Sequence, residues 1–425
     1  MKILWITNIL IGDYVKQKNN KPMGGLWMDA LLEKLSLNKE LSFIIATTGN
    51  VDQVIKAVIN DIVYYELPGG LPTNYKRSLK KSREEWKLII ENEKPDLIQV
   101  WGTEYSHSLV AVEIAKKMNI KVIVYIQGLM NAISKYTTAN LSLSTRFRYT
   151  TMRDVFRMQA PILEKKWFKK RIGVENTLLK LADGVIVESD WAEGFCLNIN
   201  SNLNIIRIPL SINKVFYDYG WDYTNVEHQT IITNASGPAY KGLHILLKAL
   251  IIVKKKYPNV KVYVPGKSIY TTRNRFIRQI KPGYWNYITD FINRNNLNEN
   301  IHFLGYLTQE EIAKKLSIAN LFVLTSAIEN HSSSLKEALI VGTPAIASSV
   351  GGVNEYFKYN KNGYIYRFEE YEVLAHYISK IFENHNLSMY FSKNSKIELV
   401  DAEENKDLKL FLSMYKNLIK GDPNV

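Results

Sequence analysis

Leu321-Phe322-Val323-Leu324-Thr325-Ser326-Ala327-Ile328-Glu329-Asn330-His331-Ser332-Ser333-Ser334-Leu335-Lys336-Glu337-Ala338-Leu339-Ile340-Val341-Gly342-Thr343-Pro344-Ala345-Ile346-Ala347 runs from an apolar segment through a polar turn and an amphipathic stretch into a second apolar segment. The apolar ends, 321–324 and 344–347, read as strands, and 333–340 reads as the helix between them. Strand, helix, strand over this length is a βαβ unit and calls for a parallel sheet. The serines at the head of the helix suit an N-cap, and the free N–H groups of that first turn attract anions.

The same rhythm extends in both directions. Strands at 230–233, 260–264 and 301–304, with helices at 243–256, 309–317 and 371–383, complete one sheet around the quoted unit. Upstream, strands at 2–7, 41–46, 96–101, 121–126 and 184–188 alternate with helices at 26–35, 75–93 and 107–118 and form another. The polar stretch Tyr217-Asp218-Tyr219-Gly220-Trp221-Asp222-Tyr223 lies just beyond the break between them. The expected fold is α/β: two doubly wound, Rossmann-like parallel-sheet domains facing across a cleft, with ligands outside the carboxyl ends of the strands. The expected boundaries are 1–212, 213–403 and a final amphipathic helix, 404–425, packing back on the first domain.

Composition agrees with this and excludes other classes. A chain of 425 residues is too long for one core. At 46% apolar and 23% charged residues it is neither disordered, collagen-like nor a membrane bundle. Lys plus Arg is 55 against 41 for Asp plus Glu, a net charge of +14. That excess predicts attraction to phosphates, on nucleotides, nucleic acid or anionic lipid, without choosing among them. The single cysteine, Cys196, makes neither an intramolecular disulfide nor a cysteine metal cluster, reads as an apolar filler, and points to a reducing compartment. The apolar start, residues 1–11, reads as a buried first strand in preference to a signal peptide, since no small-residue cleavage site follows. No window approaches the ~20 apolar residues of a membrane span, so the expectation is a soluble chain.

Two carboxylates, Glu329 and Glu337, bracket the serine-rich turn with seven residues between them. Carboxylates accept paired hydrogen bonds from vicinal hydroxyls, so one can face a sugar and the other a nucleotide ribose. Taken alone, the pair reads more readily as a helix-terminal charge and a solvated glutamate than as a ligand site. The Gly351-Gly352 turn after the next strand permits close backbone approach of a ligand.

With these neighbours the chain resembles the retaining glycosyltransferases of family 4 (group 1), which have the GT-B fold. The resemblance rests on Glu329 and Glu337 with Ala338, Gly342 and Pro344, then Gly351-Gly352 and Glu355, then Asn362-Gly363, and upstream on Lys241-Gly242 and Met23-Gly24-Gly25. It implies that Lys241 neutralises the donor diphosphate, that Glu329 lies beside the donor sugar, and that Glu337 holds the nucleotide ribose. It implies that Gly24 and Gly25 form a loop over the phosphates. The donor side is then expected to include Ser236, Gly242, Asn330, His331, Ser332, Ser333 and Ser334. No Asp-x-Asp occurs, and neither metal nor cofactor is expected; lysine and the helix N-terminus stabilise the leaving diphosphate instead.

Three positions depart from the family pattern. Ser236 stands where an arginine usually pairs with the lysine, Gln127-Gly128 replaces a histidine-glycine, and Glu329-Asn330-His331-Ser332 replaces Glu-Gly-Phe-Gly. Glutamine hydrogen-bonds a sugar hydroxyl but takes no proton at neutral pH. Glu104 and His107, after the strand at 96–101, join Gln127 as expected acceptor contacts; an ordinary exposed helix cap is the other reading.

Residues 146–171 interleave Arg146, Arg148, Arg153, Arg157, Lys165, Lys166, Lys169, Lys170 and Arg171 with Phe147, Tyr149, Phe156, Trp167 and Phe168. This pattern suits an anionic inner-membrane surface and equally a solvated helix pair. The function expected from the resemblance is retaining transfer of a sugar from a UDP- or GDP-type nucleotide-sugar to a glycan or lipid-linked saccharide, in surface polysaccharide assembly. The expected place is cytoplasmic, with peripheral attachment at the inner membrane face. The alternative is a catalytically silent basic α/β protein that binds anionic membrane or nucleic acid; no recognition motif for nucleic acid accompanies the charge. A dehydrogenase lacks its Gly-x-Gly-x-x-Gly after the first strand, and no Gly-x4-Gly-Lys-Ser/Thr occurs.

Overall fold

β1 (Lys2–Ile6) and the strands that follow it form the first of two sheets in the computed structural model, which describes residues 1–18, 26–72, 75–269, 274–400 and 406–420. Two compact units divide the chain. One contains Met1–Asn131, Lys169–Ser211 and the final helix Lys406–Lys420; the other contains Ala132–Phe168 and Ile212–Glu403. Against the expected 1–212, residues 132–168 therefore group with the second unit.

In the first unit β2 (Ser42–Gly49), β3 (Ile55–Ile59), β4 (Ile62–Pro68), β5 (Leu97–Trp101), β6 (Lys121–Tyr125), β7 (Gly184–Val187) and β8 (Asn204–Arg207) join β1 in the order β3-β4-β2-β1-β5-β6-β7-β8. Every neighbouring pair is parallel except β3 and β4. That hairpin was not foreseen. Its signal is Asn60-Asp61 between two apolar runs: both residues are left-handed, with φ 49° and 62°, as a two-residue hairpin turn requires.

β1 and β5 are buried along almost their whole length, which explains their near-continuous apolar sequence. Gln99 is the polar exception. Its Oε1 accepts from the Tyr415 hydroxyl at 2.6 Å, and that hydroxyl accepts from Trp5 Nε1 at 3.2 Å. Phe411, Met414 and Tyr415 of the final helix thus complete this core. The strand order reverses between β1 and β5, which opens a crevice at their carboxyl ends.

In the second unit β9 (Glu227–Ile232), β10 (Lys261–Pro265), β11 (Ile301–Gly305), β12 (Ala319–Leu324), β13 (Ala345–Ser348) and β14 (Tyr364–Tyr366) are all parallel, in the order β11-β10-β9-β12-β13-β14. The reversal falls between β9 and β12. The helices Leu243–Lys254 and Tyr371–Glu383 bury Leu246, Leu250, Leu374 and Ile378 against this sheet.

The excursion Ala132–Phe168 is tied to this unit by specific bonds. Ala139 O faces His244 Nε2 at 2.8 Å, Thr151 Oγ1 donates to Lys281 O at 2.8 Å, and Gly283 N donates to Asp154 Oδ2 at 2.9 Å. Gly283 is needed there, because a Cβ would stand 2.0 Å from Tyr149 O. The Tyr149 and Tyr287 rings meet edge to face, with centroids 5.4 Å apart. The inner side of the basic segment is therefore packed on protein, and its outer side carries Phe156 and Ile162, 81% and 77% exposed. Among the described residues no helix is long and apolar enough to cross a membrane.

Candidate active site

The segments after β9 and β12 bring together Lys241 and Glu329, two of the donor-side residues that the sequence reading singled out. After β9 the chain makes one tight turn, Ala239–Lys241, and passes through Gly242 at φ +76°. Any side chain there would be strained and would place its Cβ 1.7 Å from Thr325 O. This close approach stitches the loop to the one following β12: Ala327 N donates to Tyr240 O at 2.7 Å, and Thr325 Oγ1 to Lys241 O at 2.9 Å. Lys241 Nζ then reaches Glu329 Oε1 at 2.6 Å, and Ser326 Oγ donates to the same oxygen at 2.6 Å. Burial opposes the charge on Lys241, but the Glu329 carboxylate more than offsets it and raises the ammonium's pKa.

The Gly351-Gly352 turn fixes the backbone of Glu329 and Asn330. Gly351 has φ +52°, and a Cβ would lie 1.6 Å from Glu329 O; Gly352 N donates to Asn330 O at 3.0 Å. Ser332 caps the helix Ser333–Val341 by accepting from Leu335 N at 3.3 Å. Tyr356 donates its hydroxyl to Ser332 O at 3.2 Å and packs its ring 4.5 Å from that of His331. Ser333 opens the helix beside the partly buried Ser334.

Ser334 and Glu337 turn toward a cavity of about 230 Å³ at the ends of β9, β10 and β11, lined also by Thr233, Asn234, Ser236, Gly266 and Tyr306. Asn234 Nδ2 donates to Ser334 Oγ at 2.5 Å. Gly266, at φ +102°, leaves room for Ser236, whose Oγ would be 2.1 Å from a Cβ there. Burial pushes the Glu337 carboxyl up to about 7. Among the described residues Glu337 has no hydrogen-bond partner, and it is the one Asp, Glu, Lys or Arg that lines the cavity. Among the described residues no Lys or Arg lines this cavity, where Ser236 departs from the family pattern. Asn234, Gly266 and Tyr306 were not foreseen; their signal is position, just after the carboxyl ends of the neighbouring strands β9, β10 and β11.

The first unit has a matching arrangement at its β1/β5 crevice. Asn8 Nδ2 donates to Gln127 Oε1 at 2.9 Å and to the Tyr105 hydroxyl at 3.1 Å. Gly102, at φ +90°, admits the Tyr105 ring, 2.7 Å from where a Cβ would be. Glu104 is largely buried, 3.8 Å from Arg171, and burial raises its pKa against the pull of that cation. Glu175 accepts from Thr103 Oγ1, Met130 N and both nitrogens of Asn131 at 2.5–2.9 Å, which holds the turn after Gln127.

His107 differs from expectation. It is fully buried among Tyr75, Trp86 and Tyr105, with Nε2 3.3 Å from Thr7 O, and burial lowers its pKa to about 4. Such a histidine is a neutral core group with no access to a sugar. Asn8, absent from the sequence expectation, lies in the crevice. Gly24 and Gly25 lie outside the described residues.

Comparisons with known proteins bear on both units. Residues 224–398 match the sequence model of the family of glycosyl transferases group 1. An uncharacterized glycosyltransferase of Methanocaldococcus jannaschii is 22% identical over 161 residues, 38% of this chain and 37% of that protein. The matched stretches span about a third of the curated relatives. Sucrose-phosphate synthase from Thermosynechococcus elongatus superposes with a TM-score of 0.68 at 17% identity, covering 99% of this chain and 100% of the other. HepE of Anabaena, solved in complex with UDP and glucose, gives 0.67 at 16% identity over 98% and 99%. With two parallel α/β sheets, each reversing its strand order beside a crevice, the chain has the GT-B fold of the glycosyltransferases it resembles in structure.

Proposed function

We propose that this chain is a retaining, metal-independent glycosyltransferase that moves a sugar from a UDP- or GDP-type donor to a hydroxyl of a glycan or lipid-linked saccharide. One observation carries the reading: Lys241 and Glu329 meet at the β9/β12 reversal, on the segments whose neighbours Ser236, Ser334 and Glu337 line the cavity. A diphosphate at this point draws the ammonium of Lys241 from its carboxylate partner and is neutralised as it leaves. Glu329, with Oε1 committed to Lys241 and Ser326, keeps Oε2 for a sugar hydroxyl. Glu337 in its ionised form accepts from both hydroxyls of the ribose. The bond from the anomeric carbon to the diphosphate oxygen breaks, the acceptor oxygen bonds to that carbon from the same face, and its proton passes to a diphosphate oxygen. The chain's part is positioning and charge stabilisation.

A place in surface polysaccharide assembly, on the inner membrane face, belongs to the same proposal. Its support is an exposed apolar group, Phe147, Met152, Phe156, Ile162, Phe276 and Ile280, beside the exposed cations Arg148, Arg157, Lys165 and Lys166. Apolar side chains among cations suit an anionic interface.

Calorimetric titration with uridine, guanosine and adenosine diphosphates tests the central reading. Selective binding of one, weakened in Glu337→Gln, is the expected result. Lack of binding to all three overturns it.

A further inference from the structure

The excursion Ala132–Phe168 encloses a second cavity in the same unit, about 430 Å³, which no step of the proposed transfer uses. Its walls come from three places: Tyr149 and Trp167 of the excursion, the loop 237–240, and Trp285 at the head of the helix Gly283–Arg294. The volume falls in the range of small-molecule sites, roughly 300–1,000 Å³. The walls are anchored. Asp154 Oδ2 accepts from both Thr151 N at 3.2 Å and Gly283 N at 2.9 Å, and Arg294 donates to the Tyr149 hydroxyl at 3.2 Å.

The charges around this cavity come as internal pairs. Arg146 bonds to Glu164, and Arg153 lies 3.3 Å from Asp154, so two cations are matched by two carboxylates. Among the residues that line the cavity the charges balance, so an uncharged polyol finds donors on the guanidiniums and acceptors on the carboxylates; a further cation, Lys267, sits over the Trp285 ring with Nζ 5.1 Å from its centroid. Tyr149, Trp167 and Trp285 supply apolar ring surface to the lining, which suits the C–H face of a pyranose. Tyr240 lines the cavity and immediately precedes Lys241, whose ammonium bonds Glu329.

We propose that this cavity binds a neutral saccharide unit, the remote part of the acceptor, gripped by Trp285 and Trp167. Assignment to the acceptor rests on the transferase reading; the saccharide site itself does not. Saturation-transfer NMR on the full chain tests it, with methyl α-glucoside, N-acetylglucosamine and lactose as neutral probes and glucuronate and inorganic phosphate as anionic ones. Neutral sugars are expected to show transfer at their ring C–H protons, with affinity at least tenfold weaker in Trp285→Ala, retained in Trp285→Phe and unchanged in Glu337→Gln. No transfer to any neutral probe at millimolar concentration, preferential binding of glucuronate or phosphate, or indifference to Trp285→Ala overturns the site. Nucleoside diphosphates titrated into the same samples separate the two claims. Nucleotide binding without saccharide transfer sinks this inference alone; saccharide transfer without nucleotide binding upholds the site and removes its acceptor role.

Discussion

Replacing Glu337 by glutamine should stabilise the ligand-free protein while weakening nucleotide binding, and both effects should depend on pH. Burial raises the Glu337 pKa from 4.5 to about 7. At about 1.4 kcal/mol per pH unit, holding the ionised form in the fold costs about 3 kcal/mol. The unfolded chain releases this proton near pH 4.5 and the folded chain near 7, so the fold loses stability as pH rises between those values and no more above them. Glutamine carries no such charge. Glu337→Gln should match the native protein near pH 4.5 and exceed it by about 2–3 kcal/mol at pH 8. Urea unfolding at pH 4.5, 6 and 8 reads the difference directly. The carboxylate is the form that accepts from a ribose diol, so nucleoside diphosphate affinity of the native protein should rise roughly tenfold from pH 6 to 8. In the variant it should be weak and flat. A stability difference that does not change with pH would refute the argument that burial alone sets this group.

Lys241→Ala should lower turnover at saturating donor by about 10²–10³, the cost of a lost oxyanion stabiliser, without unfolding the protein; an unchanged rate would remove Lys241 from the reaction. Gly242→Ala should destabilise the second unit by more than ~2 kcal/mol, because it adds backbone strain and a clash with Thr325 O; denaturant unfolding within ~0.5 kcal/mol of the native protein would contradict this. Tyr415→Phe should cost about 1–3 kcal/mol by leaving Gln99 Oε1 and Trp5 Nε1 buried without their shared partner; a neutral result in thermal unfolding would mean the final helix packs elsewhere.

What could be read from the chain alone was what neighbouring residues decide among themselves. The run Leu321 to Leu324 buries on both faces of a parallel sheet, Ser332 caps the helix that follows it through the N–H three residues ahead, and Gly242 and Gly351 take the left-handed backbone angles that favour glycine. These are local preferences, legible over a few positions, and in the right order they are enough for the α/β sheets; Lys241, Glu329 and Glu337 were singled out by the resemblance to a family.

Only the tertiary structure decided who meets whom. Lys241 and Glu329 are 88 residues apart, and their 2.6 Å contact exists because strand order reverses between β9 and β12. His107 and Gln127 carry similar polar side chains after adjacent strands, yet one is sealed in the core and the other bonds Asn8 in the crevice. The basic segment after residue 131 reads locally as a solvated or membrane-facing helix pair. Bonds to Lys281 and Gly283, about 130 residues away, turn one of its faces into the wall of a cavity. Burial, pairing and the raised pKa of Glu337 are properties of surroundings that distant segments supply, and no short window of sequence contains them.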